Sequence, residues 1–180
     1  MNGKERFPKS AAESEEFVQM ISFSIGNEHF GVRILAVQEI IMIPEITRIP
    51  NSPEFVEGVI NLRGNIIPVL DLRKRLRLRG VAQADERKPG TRILVVETEG
   101  NVTGFIVDSV SKVLSIPGSK LFPPPEILVA GVQSQYIAGV VHLPEGILII
   151  LDFRKILSMD EKVSLDRVSR LLPEGDSRGL

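Results

Sequence analysis

Gly58-Val-Ile-Asn-Leu-Arg-Gly-Asn-Ile-Ile-Pro-Val-Leu-Asp-Leu-Arg-Lys-Arg-Leu76 returns later in the chain, without a gap, as Gly139-Val-Val-His-Leu-Pro-Glu-Gly-Ile-Leu-Ile-Ile-Leu-Asp-Phe-Arg-Lys-Ile-Leu157. Nine of the nineteen positions are identical, and most of the others exchange one aliphatic residue for another. A repeat of this kind decides the fold class before any single element does. A weaker match precedes it: Gly31-Val-Arg-Ile-Leu-Ala-Val-Gln-Glu-Ile40 against Gly104-Phe-Ile-Val-Asp-Ser-Val-Ser-Lys-Val113. The two matches come in the same order in both halves, with a longer spacing in the second. The Pro-rich stretch Phe122-Pro-Pro-Pro125 is the expected site of the added length. Two copies of roughly 75 residues are too long and too few for a solenoid, so the chain reads as a duplicated small unit.

The repeated elements read as strands. Phe17 to Ile25 alternates apolar and polar residues, with Val18 and Met20 breaking the alternation as if both faces were partly covered. Ile93 to Val96 and Gly104 to Val107 are rich in β-branched residues, and Gly100-Asn101 between them signals a turn. Val59 to Leu62 and Ile66 to Leu70 flank Arg63-Gly64, a hairpin whose glycine can take positive φ. Leu143-Pro-Glu-Gly146 takes the turn role in the second copy. Pro68 cannot donate to a ladder and is expected at an edge or a bulge. Asp71 and Asp152 each precede a short Leu/Phe-Arg-Lys stretch and read as N-caps of one-turn helices. Short strands, frequent Gly and Pro, and the absence of a long helical period predict an all-β fold of two small barrels with short helices. Residues 1–16 read as a disordered leader, 17–158 as the folded domain and 159–180 as a C-terminal helix and tail. The helix is placed at Glu161 to Leu172, with Val168, Leu171 and Leu172 on one face and Pro173 as its stop.

Composition narrows the function. The chain has no Cys, which removes disulfides and thiolate metal sites. A net charge of −1 lacks the basic excess that phosphate binding demands. The basic run Arg73 to Arg79 reads as a solvated turn after a strand. No apolar stretch reaches membrane-spanning length, and a cytoplasmic location is the expectation. The two histidines, His29 and His142, lack a partner at ligand spacing and read as structural or surface residues. No nucleophile elbow, phosphate loop or dinucleotide fingerprint occurs. Asp71 and Asp152 could be imagined as an acid/base pair, but capping explains both. No enzyme activity, cofactor or metal is therefore expected. A mean hydropathy of +0.11 is more than two small barrels can bury. The surplus predicts exposed apolar patches that bind protein partners.

The order of motifs from Phe17 to Leu157 resembles the CheW family of chemotaxis coupling proteins. The stretch Phe55-Val-Glu-Gly-Val-Ile-Asn-Leu-Arg-Gly64 followed by Ile67-Pro-Val-Leu-Asp-Leu-Arg73 carries most of the resemblance. Val37-Gln-Glu-Ile40, Thr47-Arg-Ile49, Asp108-Ser-Val-Ser-Lys-Val-Leu114 and Pro125-Glu126 add to it. The resemblance implies two pseudo-symmetric five-stranded SH3-like barrels forming one CheW-like domain around a shared hydrophobic core. It also implies an adaptor that joins the regulatory domain of a CheA-type histidine kinase to the cytoplasmic tip of methyl-accepting chemoreceptors. By this resemblance a receptor helix lies in a groove whose floor is Val37, Val110 and Val113 and whose charges are Glu39 and Arg63. The kinase contacts would include Glu126 and Ile127. Glu57 and Phe122 depart from the familiar basic residues and alter the charge of the kinase contact. An adaptor of a non-motility chemosensory pathway would read the same way. A ligand- or oligonucleotide-binding β-barrel would need stacking aromatics or a basic stripe; one Tyr, eight Phe and no Trp offer little of the first.

Overall fold

The computed structural model describes residues 15–78, 87–126, 134–157 and residue 161. The strands run in chain order as β1 (Phe17–Ile25), β2 (Glu28–Arg33), β3 (Val37–Met42), β4 (Val56–Leu62), β5 (Asn65–Asp71), β6 (Arg92–Thr98), β7 (Asn101–Val107), β8 (Ser109–Pro117), β9 (Leu121–Phe122), β10 (Ile137–Leu143) and β11 (Gly146–Leu151). Two one-turn helices, α1 (Leu72–Leu76) and α2 (Phe153–Ile156), follow the repeated hairpins. The Ile127 and C-terminal-helix expectations lie outside the described residues, apart from Glu161.

The strands form two sheets, one ordered β3-β6-β7-β5-β4 and the other β8-β1-β2-β11-β10-β9. The first closes where Thr47, beyond the end of β3, exchanges two backbone hydrogen bonds of 2.9 Å with Val59 of β4. The second has six strands, because a 3₁₀ turn at Gly118–Lys120 interrupts one path into β8 and β9. Counting that path once leaves five strands in each barrel, as the family resemblance implies.

The sequence halves are not the barrels. The β1–β2 hairpin pairs with β8 and β11 of the second half. The equivalent β6–β7 hairpin pairs with β3 and β5 of the first half. Each half has lent its opening hairpin to the other. The register obeys the repeat throughout: Val37 faces Val96 as Val110 faces Phe23, and Val69 faces Gly104 as Ile150 faces Gly31. One barrel is continuous in sequence, from β3 to β7, and the other is built from segments on either side of it. The crossings between barrels fall at Ile34–Ala36 and at Asp108.

Three apolar clusters follow. Ile60, Ile67, Val69, Ile93, Val95 and Ile106 fill the continuous barrel. Met20, Ile116, Val141, Leu148 and Ile150 fill the other. The largest cluster, with Phe23, Phe30, Leu70, Phe105, Leu151 and Phe153 among its members, draws on both and joins the barrels. The Phe105 and Phe153 rings meet edge to face at 4.6 Å, the arrangement aromatic quadrupoles favour.

Several local expectations need correction. The β6–β7 turn is Glu99-Gly100, and Asn101 already belongs to β7. Pro68 is on an interior strand, but pairing with β7 begins at Val69, so β5 has a partner only on its β4 side at Pro68. The basic run is not a solvated turn. Arg73, Lys74 and Arg75 sit in α1 and pair with Asp108, Glu57 and Glu161. Asp108 also accepts the Gly26 backbone N–H at 2.7 Å, so the Arg73–Asp108 pair ties α1 to the β1–β2 turn across the barrel junction. Arg75 lies near the pseudo-twofold axis. Its guanidinium is over the rings of the repeat mates Phe55 and Tyr136, at 4.7 and 5.3 Å, and its Nε donates to the carbonyl of Ile156, its own mate. Two copies of one side chain could not share that position, so one copy carries Arg and the other Ile.

The caps behave as expected. Asp71 accepts the N–H groups of Arg73 and Lys74, and Asp152 that of Arg154. Their titrations are pushed apart. Burial raises the Asp71 pKa against the pull of its cap bonds, whereas a hydrogen bond from the Arg154 side chain lowers that of Asp152. The lowered pKa means Asp152 stabilises the fold above the ordinary carboxylate range and loses that contribution as pH falls through it to the folded value. Asp71 has the opposite sign: its protonation favours the fold. Replacing either by Ala should cost about 1 kcal/mol at neutral pH through the lost cap. In urea melts across acid pH, the deficit of Asp152→Asn should shrink as pH falls; a pH-independent deficit would contradict the assignment.

Candidate functional site

Arg63 and Gly64 form the two-residue β4–β5 turn with φ of 53° and 87°, and the Asn61 side chain accepts the Gly64 N–H at 2.8 Å. A left-handed conformation costs a non-glycine residue roughly 1 kcal/mol, and Asn, Asp or Gly would meet the need of the turn more easily. Arg63 is therefore kept for its side chain. That side chain is 74% exposed and reaches back to Glu39 on β3 in a two-pronged pair at 2.7 and 2.9 Å. The hydrogen bond to Glu39, and then the charge of Glu39, raise the Arg63 pKa further, so the guanidinium stays charged at every working pH. An exposed ion pair adds little stability; what it provides is a fixed, planar display of charge.

The pair borders an open recess of about 330 Å³ between the β4–β5 and β6–β7 turns, with Leu62, Ile66 and Val102 as apolar lining and Gln38 at its rim. Gln38 is held by a hydrogen bond to Glu97. The structure thus brings together Glu39 and Arg63, the two charged residues that the resemblance names. Val37, Val110 and Val113 do not line this recess. Val37 and Val110 are half-buried on the equivalent strands β3 and β8, each packed against the cluster that joins the barrels. Val113 is 55% exposed. Sequence reasoning passes over three exposed apolar neighbours, Leu35 at 96%, Met42 at 73% and Ile40. One signal for them was available: Ile40 aligns with Val113 in the weaker repeat.

Other expectations resolve as follows. Glu126 is exposed. Glu57 is engaged within the molecule by Lys74 and Arg87. His142 is exposed with its ring edge against Phe122, centroids 5.7 Å apart, and His29 is exposed on β2. Among the described residues no His, Asp and Glu cluster is placed to hold a metal ion, and no helix is long and apolar enough to cross a membrane.

Comparison with known proteins gives a consistent result. Residues 19–161 match the profile of the CheW-like domain. The chain is 40% identical over 152 residues to the chemotaxis protein CheW of Klebsiella aerogenes, covering 84% of this chain and 89% of the relative. It is 34% identical over 152 residues to that of Treponema pallidum, covering 83% and 88%. Among solved structures, the scaffolding protein TtCheW from Thermoanaerobacter tengcongensis superposes with a TM-score of 0.72 at 33% identity, covering 81% of this chain and 96% of that one.

Proposed function

The chain belongs to the CheW family, and from that premise we propose that it couples a CheA-type histidine kinase to the cytoplasmic tips of methyl-accepting chemoreceptors. It is a chemotaxis adaptor and not an enzyme; signal passes through assembly and the bias that assembly places on kinase activity. Because the receptor tips lie in the cytoplasm, so does the adaptor.

The observation that carries the partner assignment is the Arg63–Glu39 pair, held on a strained turn beside an open recess of mixed polar and apolar lining. A helix laid in a groove needs apolar contact along one stripe and a few fixed charges for register. Ile40, Met42 and Val113 offer the first, and Glu39 and Arg63 the second. We assign the receptor helix to the groove along β3 and β8, with Val37 and Val110 at its floor. The kinase is assigned to the surface at Glu126 and the adjoining Ile127.

The test is co-sedimentation of the full-length protein with receptor-bearing vesicles and kinase. Val110→Asp should lower the receptor-dependent fraction about tenfold or more while melting stays cooperative, because Val110 is at the rim of the joining cluster. Full retention by this variant would remove Val110 from the groove. Loss of cooperative melting would place it in the core, where an unpaired carboxylate costs several kcal/mol.

A further inference from the structure

The cluster that joins the barrels is apolar and contains both members of the repeat pairs Leu70 and Leu151, Leu72 and Phe153, Leu76 and Leu157. Apolar burial is non-directional, so a small rotation of one barrel on the other exchanges one aliphatic contact for a similar one. The repeat pair Arg75 and Ile156 breaks the likeness. Arg75 belongs to the continuous barrel through α1, which follows β5, and Ile156 to the other through α2, which follows β11. Two aromatic rings flank them. The Phe55 carbonyl accepts the Asp71 N–H at 2.8 Å, and the Tyr136 carbonyl accepts the Asp152 N–H at 2.8 Å. Each ring is thus anchored through the backbone to the cap residue of its own barrel. The Arg75 guanidinium sits over both rings, its Nε donates to the Ile156 carbonyl at 2.7 Å, and Nη2 donates to Glu161 at 3.0 Å. The side chain is only 16% exposed. One planar group therefore meets a ring of each barrel and a backbone carbonyl of the barrel it does not belong to. Unlike aliphatic packing, these contacts require one angle. Cation–π attraction is confined to about 6 Å from the ring centroid, and a hydrogen bond weakens steeply as it bends.

We propose that Arg75 is a positioning residue for receptor binding: it fixes the angle between the two barrels and so holds Val37 and Val110, one from each barrel, in the arrangement the receptor helix meets. This rests on the groove reading above. Both valines pack against the joining cluster, so a change of angle there moves one relative to the other. A partly buried ion pair costs desolvation and adds little net stability; what Arg75 supplies is a single orientation. Without it only a fraction of the molecules holds the competent angle at any moment, and receptor affinity falls by that fraction. The kinase surface is assigned to Glu126 and Ile127, on one barrel, and does not depend on the angle.

The test compares wild type, Arg75→Met and Arg75→Lys as isotope-labelled full-length proteins. Met is apolar and of similar length, whereas Lys keeps the charge but not the planar fork. In the wild type, backbone N–H residual dipolar couplings from the two barrels should fit one alignment tensor. In Arg75→Met the barrels should need separate tensors, while melting stays cooperative and Tm shifts by no more than about 5 °C. Receptor affinity should fall about five- to tenfold and kinase affinity should stay within about twofold. Arg75→Lys should move the couplings and the receptor affinity in the same direction. A single tensor in Arg75→Met, with Val110→Asp still losing the receptor, overturns the positioning role and leaves the groove assignment intact. Separate tensors with wild-type receptor affinity overturn it as well, and so does an equal loss of receptor and kinase, which marks a purely structural residue. If Arg75→Met does not melt cooperatively, Arg75→Lys decides: wild-type couplings and receptor affinity in that variant overturn the proposal. Receptor binding retained in Val110→Asp overturns the groove assignment itself, and the proposal with it, whatever the couplings show.

Discussion

Arg63→Glu is expected to weaken receptor binding about a hundredfold or more while stability stays within about 1 kcal/mol of wild type. The two halves of that expectation have different causes. Binding falls because the substituted carboxylate stands beside Glu39, so a site that displayed a fixed cation becomes a pair of like charges. Stability holds because the lost ion pair is exposed and contributes within about 1 kcal/mol. The left-handed conformation is not worsened, since Glu99 occupies the same region at φ 53° in the β6–β7 turn. Kinase binding should persist, because the kinase contact is assigned elsewhere. A companion variant separates the charge from the turn. Arg63→Asn should raise stability by about 0.5–1 kcal/mol, because Asn tolerates positive φ, and should still lose the receptor. Titration calorimetry and urea melts on the two variants give both quantities. Receptor affinity unchanged in Arg63→Glu would refute the site.

The largest stability effect is expected from Gly58→Ala. Gly58 has φ 144°, and a β-carbon there would fall 2.1 Å from the carbonyl oxygen of Thr47 and 2.8 Å from its carbon. Those are backbone atoms with no rotamer to change. The same Thr47 carbonyl accepts the Val59 N–H, one of the two bonds that close the continuous barrel. The methyl group therefore adds backbone strain and breaks the closure, together costing about 3 kcal/mol or more. Gly139 is its repeat mate, at the equivalent bulge in β10. A β-carbon there would stand 2.8 Å from the carbonyl oxygen of Phe122, a milder conflict without the positive φ. Gly139→Ala should cost about 1–2 kcal/mol. Equal losses in the two variants, or a Gly58→Ala protein within 1 kcal/mol of wild type, would show that closure is looser than these contacts require.

Much of this architecture is legible in the residues. The recurrence of Gly58 to Leu76 at Gly139 to Leu157 gives the duplicated hairpin, and the Asp before each Arg-Lys gives the cap, because both are local patterns whose physical cause lies within a few residues. Arg63 is legible for another reason: a tight turn has no use for a guanidinium. The exchange of hairpins is not legible. Nothing in Phe17 to Arg33 distinguishes pairing with β8 and β11 from pairing with β3 and β5, because alternation encodes which face is buried and not which strand is adjacent. The basic run at Arg73 to Arg75 fails for a similar reason. Asp108 and Glu161 are distant in sequence, and only the closed fold brings them to α1. That β3 leaves Ile40 and Met42 uncovered depends on which element lies beyond it.

The loaned hairpins have a consequence for biosynthesis. A ribosome delivers β1 and β2 early, yet the strands that flank them, β8 and β11, emerge only after the whole intervening barrel has been made. Residues 37–107 can close on themselves during translation, whereas Ile21, Phe23 and Ile25 must wait uncovered until the partner strands leave the exit tunnel. Such delayed, long-range strand pairing is slow and leaves nascent chains open to mispairing with one another. The vulnerable period in the life of this adaptor is therefore its synthesis, and the segment in most need of a chaperone then is the hairpin nearest its N-terminus.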